Sequence, residues 1–172
     1  MKHPQAKNTI TTDFVTVSYR ISCRLAVPVG GLFALLIDPL NSYLELQDVY
    51  ISRVNAPGTI VAHREQAALR KDSVLFCVLT RREDGDPPKG TGFFLRPVSR
   101  PALMTLPSFE IRGQVEAEGR ATPRDILVQT SNRYVPIYDA TATYALNPAI
   151  SFEGQLMLVN RDQLEALFMP ED

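Results

Sequence analysis

The chain has 172 residues, a formal net charge of −1 and a pI of about 6.1, with 45% hydrophobic and 22% charged residues. This composition is that of an ordinary globular protein, and its near-zero charge gives no overall positive field to attract nucleic acid. No apolar run reaches the ~20 residues of a membrane-spanning helix, and the first residues lack a secretion signal, so we predict a cytoplasmic protein that does not associate with membranes.

The first elements are a tail, a strand and a helix. Residues 1–12 are polar and without period, which predicts a mobile tail. Apolar and polar residues alternate from Phe14 to Val27, which predicts one long strand. Leu32–Ile37 is interpreted as a short helix, because its counterpart Thr122–Val128 has Thr122 as a cap, Pro123 in the first turn and an early Asp125.

The remaining segments read as short strands separated by turns. In the first part of the chain the predicted strands are 43–46, 49–54, 59–62, 67–69 and 74–79. In the second part they are 103–117, 134–137, 140–146, 150–153, 155–159 and 164–169. Lys71-Asp72 and Arg161-Asp162 are predicted turns.

The two parts are separated by a stretch rich in charge, proline and glycine. Residues 81–102 are therefore predicted to be a linker, in which Phe93–Pro97 forms at most an edge strand because of Pro97.

One motif occurs twice. Asn41-Ser42-Tyr43-Leu44-Glu45-Leu46-Gln47-Asp48 returns 132 − 41 = 91 residues later as Asn132-Arg133-Tyr134-Val135-Pro136-Ile137-Tyr138-Asp139. Upstream, Tyr19, Ile21 and Leu25 match Phe109, Ile111 and Val115, and downstream 69–74 matches 159–164 at nearly the same displacement. We interpret the chain as a tandem duplication, with repeat 1 at 13–80 and repeat 2 at 103–170.

The predicted fold class is mainly β. A single repeat of about 65 residues would bury too little surface to be stable alone, so the copies should pack on each other. We expect two tandem small antiparallel β-barrels or sandwiches, each with one short helix, arranged as a pseudo-two-fold pair.

Catalytic chemistry has little support in the sequence. Cys23 and Cys77 lie in apolar runs and are predicted to be buried thiols, and His63 lies in a charged run and is predicted to be solvated. No metal-ligand spacing, phosphate-binding glycine motif or nucleophile motif is present. We therefore predict no catalytic residues, no metal, no cofactor and no enzymatic activity.

Eight residues at the repeated motifs are candidates for binding a ligand: Asn41, Tyr43, Arg70, Lys71, Asn132, Tyr134, Asn160 and Arg161. In one interpretation each Asn-x-Tyr contacts a base or small ligand, with the Tyr stacking and the Asn donating hydrogen bonds. In the other, the Asn residues end the helices or form turns and the Tyr residues pack on the core.

Two resemblances bear on these motifs. Asp125-Ile126-Leu127, the run from Asn132 to Ala140, and the run from Leu158 to Leu164 with Met169-Pro170 resemble an uncharacterised bacterial family of short β-rich domains. That family implies no reaction or ligand. A weaker similarity is to Sm-like barrels, in which a short helix precedes five bent strands and a late turn, here Val159–Leu164 and Leu69–Val74, leads into the last strand.

The functional expectation is a non-enzymatic protein-interaction or assembly module, with a protein partner or self-association through exposed strand edges. The alternative is an RNA- or small-ligand-binding Sm-like protein that uses the eight residues above. Nucleic-acid binding stays possible but is not favoured, because the net charge is close to zero.

Overall fold

The computed structural model describes residues 8–87, 97–129 and 132–170, with no side-chain description for Gln129. Strands of the first half are β1 (Asn8–Val15), β2 (Tyr19–Val27), β3 (Tyr43–Arg53), β4 (Ala56–Arg70) and β5 (Phe76–Leu79). Strands of the second half are β6 (Val98–Leu106), β7 (Phe109–Ala117), β8 (Tyr134–Tyr144), β9 (Ser151–Asn160) and β10 (Ala166–Phe168). The helices are α1 (Gly31–Ile37) and α2 (Pro123–Gln129), with 3₁₀ turns at Lys71–Ser73, Arg82–Asp84 and Arg161–Gln163.

All ten strands form one antiparallel sheet, which confirms the mainly β class. The strand order is β10-β6-β7-β8-β9-β5-β1-β2-β3-β4, and in the described part of the chain the sheet does not close on itself. The halves are thus joined into a continuous sheet through β5 and β9, where we expected two separate small sheets. No helix in the described ranges is long and apolar enough to cross a bilayer.

The long strand predicted over 14–27 is wrong, because this stretch forms most of a hairpin. β1 pairs with β2 along its whole length, with Asn8 opposite Val27 at one end and Val15 opposite Arg20 at the other. Thr16 makes the turn: its hydroxyl accepts a hydrogen bond from the Tyr19 amide at 3.0 Å, and its amide donates to the Tyr19 carbonyl at 2.9 Å. A turn held by a threonine leaves the alternation unbroken, which is why the pattern concealed it. Residues 103–117 contain a second such hairpin, β6–β7.

The predicted ends of the repeats also need correction. β1 starts at Asn8, inside the stretch predicted as a tail, because Ile10 and Thr12 are buried against the sheet. Residues 1–7 lie outside the described residues. β6 starts at Val98, inside the predicted linker, whereas most of the predicted edge strand 93–97 lies outside the described residues.

The first part of the predicted linker is folded against the second half. Arg82 lies 2.8 Å from the Asp139 carboxylate and 4.7 Å from the centre of the Tyr138 ring. The Tyr138 hydroxyl donates a 2.7 Å hydrogen bond to Asp86. These contacts fix a stretch whose composition predicted flexibility.

Several pairs of predicted short strands are single bent strands. β3 and β8 each continue through an aspartate with positive φ, 49° at Asp48 and 47° at Asp139. Aspartate tolerates this left-handed conformation better than most residues, so the strand bends without ending. β4 likewise runs through 15 residues where two short strands were predicted.

Both predicted helices are confirmed, and α2 forms for the reason expected. The Thr122 hydroxyl accepts from the Asp125 amide at 3.2 Å, and the Asp125 carboxylate accepts from the Thr122 amide at 2.8 Å and the Thr122 hydroxyl at 2.7 Å. This is a reciprocal cap of the helix start. Each helix follows the second strand of its half, which differs from the Sm-like order with the helix first.

The hydrophobic interior consists of two clusters, and each draws side chains from both halves. One cluster consists mainly of second-half residues and is called the second-half cluster; it includes Phe76 and Val78 of β5. The other consists mainly of first-half residues and is called the first-half cluster; it includes Leu156 and Leu158 of β9. Because side chains alternate along a strand, β5 and β9 contribute to one cluster on each face of the sheet. The halves are therefore packed as one body.

The expected pseudo-two-fold arrangement is wrong. A two-fold axis would pair a strand with its own counterpart, such as β5 with β10. Instead β5, the fifth strand of the first half, pairs with β9, the fourth strand of the second half. The halves are therefore joined head to tail, which leaves β4 at one end of the sheet and β10 at the other.

Candidate interaction surface

The Asn-x-Tyr motif of the first half lies on the surface. Tyr43 begins β3, is 59% exposed and pairs with Arg70 of β4, which is also exposed. The Asn41 amide donates a 2.7 Å hydrogen bond to the Asp38 carboxylate, which holds the turn after α1. An exposed aromatic ring beside a guanidinium is available for contact, whereas Asn41 has a structural role in the turn.

The same motif in the second half is mostly internal. Tyr134 is fully buried, and its hydroxyl donates a 3.2 Å hydrogen bond to the Lys71 carbonyl of the first half. Burial raises the pKa of Tyr134 well above its usual value, so the phenol stays neutral and serves as a donor. Asn132 is half-buried. Tyr134 therefore links the two halves and is closed to a ligand.

The two basic candidates at the 3₁₀ turns cap the short helices. The Lys71 ammonium is buried and donates to the carbonyls of Leu35 at 2.6 Å and Asp38 at 3.0 Å. Burial lowers the pKa of Lys71. Arg161 donates to the Leu127 carbonyl at 3.1 Å. Both side chains satisfy carbonyls at the end of a helix, where no backbone partner remains.

Asn160 is, like Tyr134, completely buried. Its side-chain amide donates to the Val74 carbonyl at 2.9 Å. Its backbone amide donates to the Leu75 carbonyl at 2.8 Å, and its side-chain oxygen accepts from the Asp162 amide at 3.1 Å. Asn160 therefore joins the end of β9 to the start of β5 and organises the turn that follows.

These placements put five of the eight candidates into two groups. Tyr43 and Arg70 are exposed together, whereas Lys71, Tyr134 and Asn160 form the junction between the halves. An ion-pair cluster at the same junction was missed by sequence reasoning: Arg133 lies 2.5 Å from Asp72 and 3.0 Å from Asp162. The second contact is electrostatic, since the buried Nε of Arg133 has no correctly oriented hydrogen-bond acceptor. The available signal was the placement of an aspartate directly after a basic residue in both predicted turns, Lys71-Asp72 and Arg161-Asp162.

Reactive groups are shielded or isolated in the described ranges. Cys23 and Cys77 are buried free thiols, as predicted, and burial raises the pKa of each to about 12. His63 is exposed, as predicted; its Nε2 lies 2.8 Å from Asp48 and its ring stacks on Tyr50 at 4.2 Å. Among these residues no three His, Cys, Asp or Glu side chains form a group able to hold a metal ion.

The grooves on the described surface include two that are lined by none of the eight candidates. One, of about 260 Å³, lies between Asp13, Arg20 and the Ser151–Glu153 segment. The other, of about 770 Å³, runs beside β10 and is lined by Phe168, Met169 and Pro170 together with parts of β6, β7 and β8. The larger groove is thus next to one end of the sheet.

The two ends of the sheet present strand edges that are not paired with another described strand. β4 is paired on one side by β3, and almost all of its 15 residues are exposed or half-buried. β10 is paired on one side by β6, and Phe168 is 53% exposed. An unpaired strand edge presents a row of N–H and C=O groups that can accept another strand. Sequence reasoning missed β4 as a single long edge because its charged residues interrupt the apolar pattern.

Comparison of the chain with family models, with curated proteins and with solved structures finds no match. The resemblance of the second repeat to the bacterial β-domain family therefore stays a prediction.

Proposed function

We propose that this protein is a non-enzymatic interaction or assembly module, built by tandem duplication of a five-stranded barrel- or sandwich-like β unit, that binds polypeptide at the edges of its sheet. The observation that carries this proposal is the open ten-stranded sheet with β4 and β10 at its two ends. Strand addition at such an edge gives affinity through main-chain hydrogen bonds and specificity through alternate side chains.

The duplication is supported by backbone contacts that recur at a displacement of 90 or 91 residues. The Lys71 amide donates to the Ser42 carbonyl, and the Arg161 amide to the Arg133 carbonyl. Each pair joins a 3₁₀ turn to the residues before the third strand of its half. β2–β3 and β7–β8 also have register shifts at corresponding places, Ser22/Arg24 and Arg112/Gln114. Shared irregularities are better evidence of common origin than shared strands, because bulges are specific local features.

The length and exposure of β4 favour it as the principal binding edge. Gln66, Ala68 and Arg70 are exposed at its C-terminal end, whereas Leu69 between them is buried in the first-half cluster. A strand that is anchored by one face and open at its edge is a rigid template. The protein would therefore lose little conformational entropy when a partner strand binds to it.

Site-specific photo-crosslinking tests this proposal. A photo-reactive side chain at Gln66 of β4 should give a discrete adduct in cells whose crosslinked peptide maps to one extended segment. The matched control is Leu146, which is 77% exposed but lies between β8 and β9, away from the sheet ends. Equal adduct yields at both positions, or none at either, would contradict edge binding.

A second candidate function, binding of single-stranded RNA or a small ligand, is favoured by one observation. Tyr43 and Arg70 are exposed side by side at the β3–β4 pair, which is a stacking surface beside a cation. Binding of single-stranded RNA at low salt that is lost in Tyr43→Ala and Arg70→Ala would support this function. Absence of binding at low salt would exclude it.

A further inference from the structure

The strand pair that joins the two halves is a contact between unlike strands. β5 pairs with β9 through Phe76–Val159, Cys77–Leu158, Val78–Met157 and Leu79–Leu156. In a duplicated chain, β10 corresponds to β5 and β4 corresponds to β9. The two strands equivalent to the joining pair therefore lie at opposite ends of the sheet.

We propose that β10 of one chain pairs antiparallel with β4 of a second copy of this chain, repeating the internal β5–β9 contact between molecules. A displacement of 90 residues gives the register Ala166–Leu69, Leu167–Ala68 and Phe168–Ala67. This inference rests on the proposed function and names its partner as the protein itself.

The backbone of β4 has the correct alternation for this contact. The Lys71 amide bonds to Ser42, so in the antiparallel ladder the amides of Leu69 and Ala67 also face β3. The amides of Arg70, Ala68 and Gln66 then face outward. In β9 the same alternation turns the Asn160 amide toward the carbonyl of Leu75, the residue before β5, at 2.8 Å. The outward amides of β4 are the equivalents of those that already bind β5.

The side chains also fit across the proposed contact. Val78 is 7% exposed because it covers the cluster of the half with which β5 pairs, opposite the fully buried Met157. Its equivalent, Phe168, is 53% exposed and would lie opposite Ala67, which packs on the edge of the first-half cluster. In the internal pair the larger side chain is Met157, on β9, whereas in the proposed pair it is Phe168, on β10. Each pair thus joins one larger and one smaller side chain, and the two pairs fill a similar volume.

Opposite charges add to this fit. Arg70 is equivalent to Asn160, which bonds to Leu75, and Glu165 is equivalent to Leu75. Arg70 and Glu165 are both exposed and would become neighbours across the contact. A charge pair at this position favours the proposed register over one shifted along the strand.

A contact between unlike surfaces assembles differently from a two-fold dimer. After two chains have paired, the pair still has one free β4 and one free β10, so further copies add head to tail into a closed ring or an open filament. The mass in solution is therefore expected to exceed that of a dimer at high concentration.

The test measures the mass of the full chain by sedimentation and light scattering from about 1 to about 300 µM. Ala68→Pro removes an outward amide of β4 without removing a β3–β4 hydrogen bond, and Ala62→Pro is its control, on the same edge but beyond the paired register. Phe168→Glu places a charge in the contact, with Leu146→Glu as its control. Ala68→Pro and Phe168→Glu should each weaken assembly at least about tenfold, and the controls should not.

Mixing the two disrupted variants gives the decisive result. Ala68→Pro keeps an intact β10, and Phe168→Glu keeps an intact β4, so a mixture should form a species of twice the 19.2 kDa monomer mass and nothing larger. A two-fold dimer would not show this complementation. A wild-type chain that stays monomeric, or a mixture that does not pair, would overturn self-pairing. Crosslinking of Gln66 to another polypeptide would then still support the interaction role.

Discussion

Asn160→Ala is expected to destabilise the protein at the junction between its halves. The side chain is fully buried and makes two hydrogen bonds, to the Val74 carbonyl at 2.9 Å and from the Asp162 amide at 3.1 Å. Alanine removes both and leaves the Val74 carbonyl in an apolar environment. A buried polar group left unpaired costs about 1–3 kcal/mol, and the bond to Asp162, near the surface, adds about 0.5–1 kcal/mol.

The expected loss in the free energy of unfolding is therefore about 1.5–4 kcal/mol, or about 3–16 °C in Tm for a chain of this size. The matched control is Arg70→Ala, because Arg70 occupies the equivalent place before the first 3₁₀ turn but is exposed and makes no side-chain cap. Its effect should stay within about 0.5 kcal/mol.

Guanidinium unfolding followed by circular dichroism at low protein concentration measures both variants. If Asn160→Ala lost no more stability than Arg70→Ala, the assignment of Asn160 as the hydrogen-bonded link between β9 and β5 would be refuted.

Three further predictions use other parts of the fold. Gly113→Ala should destabilise by about 1–3 kcal/mol, because an added Cβ would lie 2.6 Å from the Tyr138 carbonyl oxygen, whereas Gly58→Ala, with open space around it, should be neutral in the same unfolding assay. Hydrogen bonds from the Thr122 side chain and backbone lower the pKa of Asp125. The stabilising contribution of this carboxylate is therefore complete above its usual pKa of 3.8 and is lost as the pH falls through the lower pKa of the folded state. In acid unfolding, the stability difference between wild type and Asp125→Asn should shrink below about pH 3.8. With a thiol pKa of about 12 only about one thiol in 10,000 is ionised at pH 8, so Cys23 and Cys77 should resist labelling in the native protein and react once it is unfolded, and rapid native labelling would contradict their burial.

Local chemistry explains the elements that sequence reasoning predicted. The cap at Thr122, Pro123 in the first turn and Asp125 act within a few residues, so α2 was found from the pattern alone. The hairpins β1–β2 and β6–β7 were missed because their turns use Thr16 and Pro107-Ser108 in place of glycine. Ser108 takes a φ of 64°, which the sequence rules for turns do not favour for serine.

The candidate site shows why a repeated motif need not have a repeated role. Tyr43 and Tyr134 occupy corresponding positions, yet Tyr43 is 59% exposed and Tyr134 is fully buried. Tyr134 is on the side of its half that receives β5, whereas Tyr43 is beside the free edge of β4. Their exposure depends on which strands are neighbours in the sheet, and this information is not present in either motif.

The sharing of β5 between the two hydrophobic clusters has a consequence for synthesis on the ribosome. Phe76 and Val78 leave the ribosome well before Met157 and Val159, the residues against which they pack. The nascent first half must therefore keep an apolar strand uncovered while about 80 further residues are made, during which it is open to misassociation with other nascent chains. Slow translation or a shortage of chaperones should reduce the yield of native protein, and a stop codon placed before β9 should give an aggregating product.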